Sequence, residues 1–208
     1  MKIVIGIFGI QGAIVDHEIA IKKSAEKLGI DFEIIKVKTK EDVEIINCLI
    51  IPGGESTTMR LLGQKNDVID KINLSIDGGL PVFGTCAGAI LLSKNVKKDE
   101  TSETELGLFP FLDMMILRNG YGRQKNSFSS SLKIEGVSNE FEGVFIRAPI
   151  IESVNDKVEI LSTFDEKAVL VKSNNIFAST FHPELTLHTD IHELFLKNVL
   201  EYEEKSKV

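Results

Sequence analysis

Cysteine is scarce in this chain of 208 residues, which holds only Cys48 and Cys86. Two cysteines cannot build a disulfide framework, and a structural zinc site usually needs four cysteine or histidine ligands at tight spacing. Positive charge is also in deficit. Lysine and arginine number 24 against 31 aspartates and glutamates, a net charge of −7. With no lysine or arginine cluster, that balance argues against a nucleic acid or an anionic membrane as the main partner. No apolar run approaches the ~20 residues that span a bilayer. The opening stretch from Met1 to Gly9 lacks the charged start, longer apolar core and small-residue cleavage site of a secretory leader. The expected compartment is therefore the cytosol. Repeats, low-complexity tracts and linkers are missing too, so residues 1–208 read as one domain. A chain of this length buries enough surface to fold without cross-links.

Short apolar runs alternate with helical patterns through the first half. Val4 to Phe8, Phe32 to Val37, Leu49 to Ile51 and Leu80 to Phe83 read as strands, the first buried on both faces. Helices are expected over Ala13 to Leu28, Ser56 to Leu62, Asp67 to Ile76 and from Ala87 to Leu92, with Gly29 ending the first. This rhythm predicts an α/β three-layer sandwich, a mostly parallel sheet with helices on both faces. After Asn95 the pattern changes. Lys97 to Glu105 reads as a surface loop. Runs at 114–117, 144–146, 168–171 and 176–178 read as antiparallel or mixed additions to the same sheet. An amphipathic helix from Ile191 to Glu203 closes the chain, with a charged tail, Glu201 to Lys205, expected to fray.

Three glycine clusters follow strands. Gly6-Ile7-Phe8-Gly9-Ile10-Gln11-Gly12 has the spacing GxxGxxG, which is not a dinucleotide fingerprint; a tight turn is the plainer reading. Gln11 sits at the carboxyl end of the first strand, where such sheets place ligand sites. Pro52-Gly53-Gly54-Glu55-Ser56-Thr57-Thr58 lacks the GK[ST] of a phosphate loop, but its glycine pair lets backbone N–H groups approach a ligand. Ser56 or Thr57 is placed to cap the following helix. Gly84-Thr85-Cys86-Ala87-Gly88 has the form G-x-C-x-G between strand and helix, a nucleophile elbow with cysteine in the serine position. Such a turn sets the sulfur at a helix N-terminus, whose amides favour its anionic form, and the Ala87 N–H can help bind an oxyanion. Read alone, Cys86 fits a buried inert thiol equally well, and Cys48, without flanking glycines, reads as core.

A thiol nucleophile needs a base. His182 in Phe181-His182-Pro183-Glu184 follows a strand-like run, and Glu184 can turn back to hold one ring nitrogen while the other faces a thiol. The alternative is a turn histidine beside a solvated glutamate. His17 lies on the first helix, and His188 and His192, flanking Asp190, read as surface or capping residues. The joint occurrence carries weight: glycine pair, cysteine elbow and His-Pro-Glu each follow a strand, and carboxyl ends of parallel strands converge on one crevice.

With these residues in place, the sequence resembles the class I, or triad-type, glutamine amidotransferases, and within them the glutaminase subunits of two-protein pyridoxal 5′-phosphate synthases. The resemblance covers nearly the whole chain. It rests on Gly9-Ile10-Gln11-Gly12-Ala13, Pro52 to Arg60, Phe83 to Gly88, Arg118 to Gln124 with Ser127-Phe128, Phe145 to Pro149, and Phe181 to Thr186. The Gly120-Tyr121 pair and the acidic 97–105 loop are its small departures. It implies Cys86 as nucleophile, His182 as general base and acid, and Glu184 as the histidine's orienter. It implies Gly53, Gly54, Glu55, Arg118, Ile146 and Arg147 as glutamine contacts, with Gly54 and Ala87 donating to the oxyanion. The activity implied is hydrolysis of L-glutamine through a cysteine thioester, with no cofactor and no metal. Ammonia would pass to a separate synthase subunit, because the chain has no room for an acceptor-side domain. That partner would order the Gly53-Gly54 loop, docking near Gln11 and the first helix. A triad glutaminase serving another ammonia acceptor, and a non-catalytic binding protein on the same fold, are the alternatives.

Overall fold

A computed structural model of the chain describes residues 2–63, 67–118, 120–121 and 127–206. Strands β1 (Ile3–Phe8), β2 (Phe32–Val37), β3 (Cys48–Ile51), β4 (Val82–Thr85), β5 (Ser93–Lys97), β6 (Leu112–Leu117), β9 (Ile150–Val154), β10 (Glu159–Phe164), β11 (Lys167–Ser173) and β12 (Ile176–Ser179) form one sheet. Its path is β2-β1-β3-β4-β12-β11-β9-β6-β5, with β10 paired to β11. From β2 to β12 every pairing is parallel. Beyond β12 the ladder turns antiparallel until the β6–β5 pair.

Helices α1 (Ile14–Lys27) and α6 (Asp190–Lys205) cover one face; α2 (Lys40–Ile45), α3 (Ser56–Gly63), α4 (Val68–Asp77) and α5 (Ala87–Leu92) cover the other. The central strands feed both cores by alternation. Ile50 and Phe83 pack with Ile21, Phe195 and Val199, whereas Leu49, Ile51 and Val82 pack with Met59, Ile72 and Leu91. Strands β3, β4 and β12 are buried at every residue, as the apolar run of β3 and the apolar starts of β4 and β12 foretell. Each such fully buried aliphatic side chain contributes about 1.5–3 kcal/mol.

The expected architecture stands, with corrections at its edges. Residues 144–146 do not join the main sheet. Strand β8 (Phe141–Ile146) pairs with β7 (Ser127–Leu132) in a separate two-stranded sheet. Its Phe145 stacks on Phe128 at 4.6 Å and packs against Phe164 and Phe181, so an aromatic cluster rather than main-sheet pairing holds this flap. The 201–205 tail is helical. Tyr202 Oη donates to the Gly78 carbonyl at 3.3 Å and Glu203 accepts from Asn47 Nδ2 at 2.8 Å, contacts that composition does not reveal. Helix α2 is short and polar, and its signal is a cap: Thr39 and Asp42 form a reciprocal capping box.

Candidate active site

Four adjacent parallel strands, β1, β3, β4 and β12, end on the same edge of the sheet, and each carries a polar loop beyond its last residue. Gln11 follows β1, Gly53 to Glu55 follow β3, Cys86 follows β4 and His182 follows β12. Register locks them together. Ser179 pairs with Thr85 and Ile51 with Gly84, and the Cys86 N–H donates to the Ser179 carbonyl at 2.8 Å. The loops surround a cavity of about 450 Å³. Gly53, Gly54, Glu55, Cys86, Ala87, Arg118, Ile146, Arg147 and His182 all line it, as does Gln11; Glu184 lies behind His182, off the wall.

The elbow takes the shape its glycines suggest. Cys86 has φ 49° and ψ −100°, a conformation that costs a non-glycine residue about 1–3 kcal/mol and is retained where surrounding structure enforces it. A Cβ on Gly88 would lie 2.1 Å from the Ile51 carbonyl oxygen, and one on Gly84 would lie 2.7 Å from the Gly88 backbone. Close packing of α5 on β3 and β4 thus dictates the sharp turn. The thiol lies 3.8 Å from the Ile146 carbonyl oxygen, its acceptor. Cys48 contrasts: it is fully buried in the core, and burial pushes its thiol pKa up.

His182 is held by its backbone and its ring. Its N–H donates to the Val144 carbonyl at 2.8 Å, and Pro183 opens a 3-10 turn, Pro183–Leu185, that swings Glu184 back. Nδ1 lies 2.7 Å from Glu184 Oε1. Burial opposes charge on the imidazole, but hydrogen bonding to Cys86 and Glu184, and the charges of both, outweigh it and lift the pKa to about 10. Burial likewise opposes charge on Glu184, yet the facing His17 and the hydrogen bond from His182 keep its carboxyl below the usual range.

The glycine pair makes room for this ring. A Cβ on Gly53 would sit 2.4 Å from His182 Cε1 and 2.9 Å from Nδ1. Gly53→Ala is therefore expected to displace the imidazole and cut turnover about 100-fold with the fold retained. Steady-state kinetics beside thermal melting checks this, and an active Gly53→Ala enzyme would show that the ring need not sit there.

Within the loop, the Gly53 N–H donates to Thr85 Oγ1 at 3.0 Å and the Glu55 N–H to Gln11 Oε1 at 3.0 Å. Among the described residues, no such bond engages the Gly54 N–H between them. The Ala87 N–H, in the first turn of α5, has no intrahelical acceptor. The cap of α3 differs from expectation: neither Ser56 nor Thr57 provides it. Glu55 Oε2 accepts from Thr58 N–H at 2.9 Å and Thr58 Oγ1 at 2.8 Å, and these bonds hold its pKa low. Glu55 Oε1 is 3.6 Å from Arg118 Nη2, which donates to Thr57 Oγ1 at 2.6 Å. A carboxylate and a guanidinium thus stand side by side at the cavity. Arg147, on the opposite wall, has φ 45°. Asn119, Gly122, Arg123 and Gln124 of the Arg118 block lie outside the described residues. Gly12 packs its turn on the Gly53 carbonyl, to which the Ala13 N–H donates at 2.9 Å, so the first glycine cluster serves this loop.

Three residues at the site escape the motif reading: Thr85, His17 and His192. The expectation that His192 is a surface or capping residue is wrong, for it is fully buried, as is His17. Helical spacing carried the signal. His17, Ala20, Ile21 and Ser24 share the buried stripe of α1, and His192, Phe195, Leu196 and Val199 that of α6. Among the described residues, no group of three His, Cys, Asp or Glu is arranged to hold a metal ion.

Both buried histidines make the fold acid-sensitive. Burial is the largest cause for each, lowering His17 and bringing His192 to about 3 from 6.5. A depressed folded pKa means the unfolded chain takes up the proton first, so stability is full above 6.5 and falls as pH drops from 6.5 toward 3. The raised His182 pKa makes no such loss in this window, its contribution being complete below 6.5. The His192 share is on the order of a few kcal/mol. In urea melts at pH 5 and 7.5, His192→Phe is expected to show the smaller difference; an equal fall in both proteins refutes the assignment.

A family profile described as the SNO glutamine amidotransferase family matches residues 7–201. The chain is 46% identical over 197 residues to "Pyridoxal 5′-phosphate synthase subunit PdxT" of Kosmotoga olearia, covering 94% of this chain and 97% of that one. It is 43% identical over 197 residues to the protein of the same name from Pyrococcus furiosus, covering 94% and 98%. Among solved structures, a glutamine amidotransferase superposes with a TM-score of 0.80 at 36% identity, over 94% of this chain and 98% of the other.

Proposed function

The chain belongs to the SNO glutamine amidotransferase family, and from that membership we propose that it is the glutaminase subunit of a two-protein pyridoxal 5′-phosphate synthase. The observation that carries the reading is the meeting of Cys86 and the His182–Glu184 pair at one cavity, beside the Glu55–Arg118 pair. The last pair suits free L-glutamine, whose α-carboxylate and α-ammonium need one partner of each sign. Arg118 takes the carboxylate and Glu55 the ammonium, with Gly53, Ile146 and Arg147 completing the contacts.

With the shared proton resting on His182, whose pKa lies well above neutral, Cys86 Sγ attacks the side-chain carbonyl carbon of glutamine. The oxyanion is received by the N–H groups of Gly54 and Ala87. The imidazolium then protonates the departing nitrogen, the C–N bond breaks and ammonia leaves a glutamyl thioester. His182 next takes a proton from water, which attacks the thioester; glutamate leaves and the thiol is restored. Glu184 orients His182 throughout.

Ammonia is consumed by a synthase subunit. Its docking face is the α1 edge beside Gln11, where Val15 and Ile19 stand 58% and 51% exposed. The chain acts as a single glutaminase domain, without cofactor, in the cytosol, where reducing conditions keep Cys86 a thiol. No helix among the described residues is long and apolar enough to cross a membrane. Glutamate release from L-glutamine, with and without the purified synthase subunit, tests the reading. Release that rises on adding the synthase supports it; no release with either mixture overturns it.

A further inference from the structure

Behind the proposed triad, in contact with Glu184, lies a buried polar layer of His17, His192 and Thr85, none of which enters the steps above. His17 Nδ1 is 3.2 Å from His192 Nε2. His17 Nε2 is 3.0 Å from Thr85 Oγ1 and 3.5 Å from Glu184 Oε2. Thr85 Oγ1 also accepts the Gly53 N–H. Two atoms of the layer, Glu184 Oε2 and His192 Nδ1, have no hydrogen-bond partner among the described residues.

These distances decide where the protons sit. With its proton on Nδ1, His17 would donate to His192 Nε2 and force the His192 proton onto Nδ1, a buried N–H without an acceptor. The bare Nε2 of His17 would then face the carboxylate oxygen of Glu184. Both arrangements cost free energy. In the reverse placement His192 Nε2–H donates to His17 Nδ1, and His17 Nε2–H donates to Thr85 Oγ1 at 3.0 Å and faces Glu184 Oε2 at 3.5 Å, an electrostatic rather than a hydrogen-bonded contact. What remains unpartnered among the described residues is a lone pair on His192 and the hydroxyl proton of Thr85, whose oxygen accepts from both Gly53 and His17. Burial keeps both rings neutral, as this placement needs.

We propose that His17 is a positioning residue of the glutaminase site: its Nε2–H, oriented by His192, holds Glu184 in place behind His182 and ties it through Thr85 to the backbone of Gly53. The inference rests on the glutaminase reading and extends it by one layer. The charged and titratable groups facing His17 are Glu184 and His182 around the 3-10 turn, His192 on α6 and Asp16 on its own helix. Without the His17 donor, the dry carboxylate of Glu184 loses the dipole that favours its charge. It then protonates at a higher pH as acid is added, and His182 loses its partner. The acid limb of the kcat/KM profile therefore moves up in pH. KM holds, because His17 does not line the cavity.

The test has two arms. In ring-15N-histidine-labelled wild type at neutral pH, His17 is expected to be neutral with Nε2 protonated and Nδ1 bare; a Nδ1–H tautomer or a cation overturns the proposal. In complex with the synthase subunit, His17→Phe is expected to lose on the order of tenfold to 100-fold in kcat. Its KM should change by less than about twofold, and its acid limb should move upward. His17→Gln, which keeps an N–H donor, should recover part of the loss. A folded His17→Phe enzyme with wild-type kcat and pH profile overturns the proposal. A wild type that releases no glutamate overturns instead the functional reading, and the nitrogen shifts still decide the proton placement.

Discussion

Cys86→Ser is expected to reduce synthase-activated glutamine hydrolysis by on the order of 10⁵-fold while leaving the fold intact. The elbow is enforced by its surroundings, the Ile51 carbonyl against Gly88 and the Ser179 carbonyl on the Cys86 N–H, and none of these contacts involves the sulfur. The serine variant should therefore melt close to the wild type and still bind glutamine. What it loses is the acidity of the nucleophile. Hydrogen bonding to the Cys86 sulfur is among the effects that lift His182 to about 10, and a hydroxyl gives up its proton far less readily than a thiol. Glutamate release from the complex measures the loss. A glutamine-mimicking chloroketone should label Cys86 in the wild type and nothing at that position in the variant. A serine enzyme with full activity would remove Cys86 from the mechanism.

The central sheet is readable from sequence because β1 and β3 are buried on both faces and so appear as apolar runs, with Leu80 to Phe83 marking the start of β4. The motifs were readable for a related reason. Where backbone must approach backbone or an imidazole ring, only glycine fits, and the clashes a Cβ would meet at Gly53, Gly84 and Gly88 mark those places. The second half was harder. Strand β7 is Ser-Phe-Ser-Ser-Ser-Leu and keeps its place through aromatic stacking with β8, a contact between residues distant in sequence. The cap of α3 was misassigned because serine and threonine cap helices more often than glutamate does, and only the loop's geometry puts Glu55 within reach of Thr58. His17 and His192 were passed over for a different reason. Their neighbours in sequence are uninformative, whereas His17 meets Thr85 and Glu184, 68 and 167 residues away, and His192 meets His17 across 175 residues.

Glu184→Gln is expected to reduce kcat by on the order of 10³- to 10⁴-fold, a smaller loss than that of the proposed nucleophile. The carboxylate accepts from His182 Nδ1 at 2.7 Å through Oε1, while Oε2 faces His17 Nε2 at 3.5 Å. An amide has one acceptor and one donor end. With its oxygen toward His182, its NH₂ meets the His17 Nε2–H, donor against donor in a dry site. With its NH₂ toward His182, it meets the Nδ1–H of that ring, donor against donor, and no longer favours the imidazolium. KM should hold, since Glu184 is off the cavity wall. The fold should weaken somewhat, because the low pKa of Glu184 shows that its surroundings more than offset the cost of burying its charge, so kcat is compared on protein shown by thermal melting to be folded. The pH profile supplies the sign. The hydrogen bond and charge of Glu184 raise the His182 pKa, so without them His182 gives up its proton at lower pH, and the alkaline limb of the residual activity moves down from the region of pH 10. A Glu184→Gln complex that kept the wild-type kcat and alkaline limb would show that the 2.7 Å pair does not govern His182.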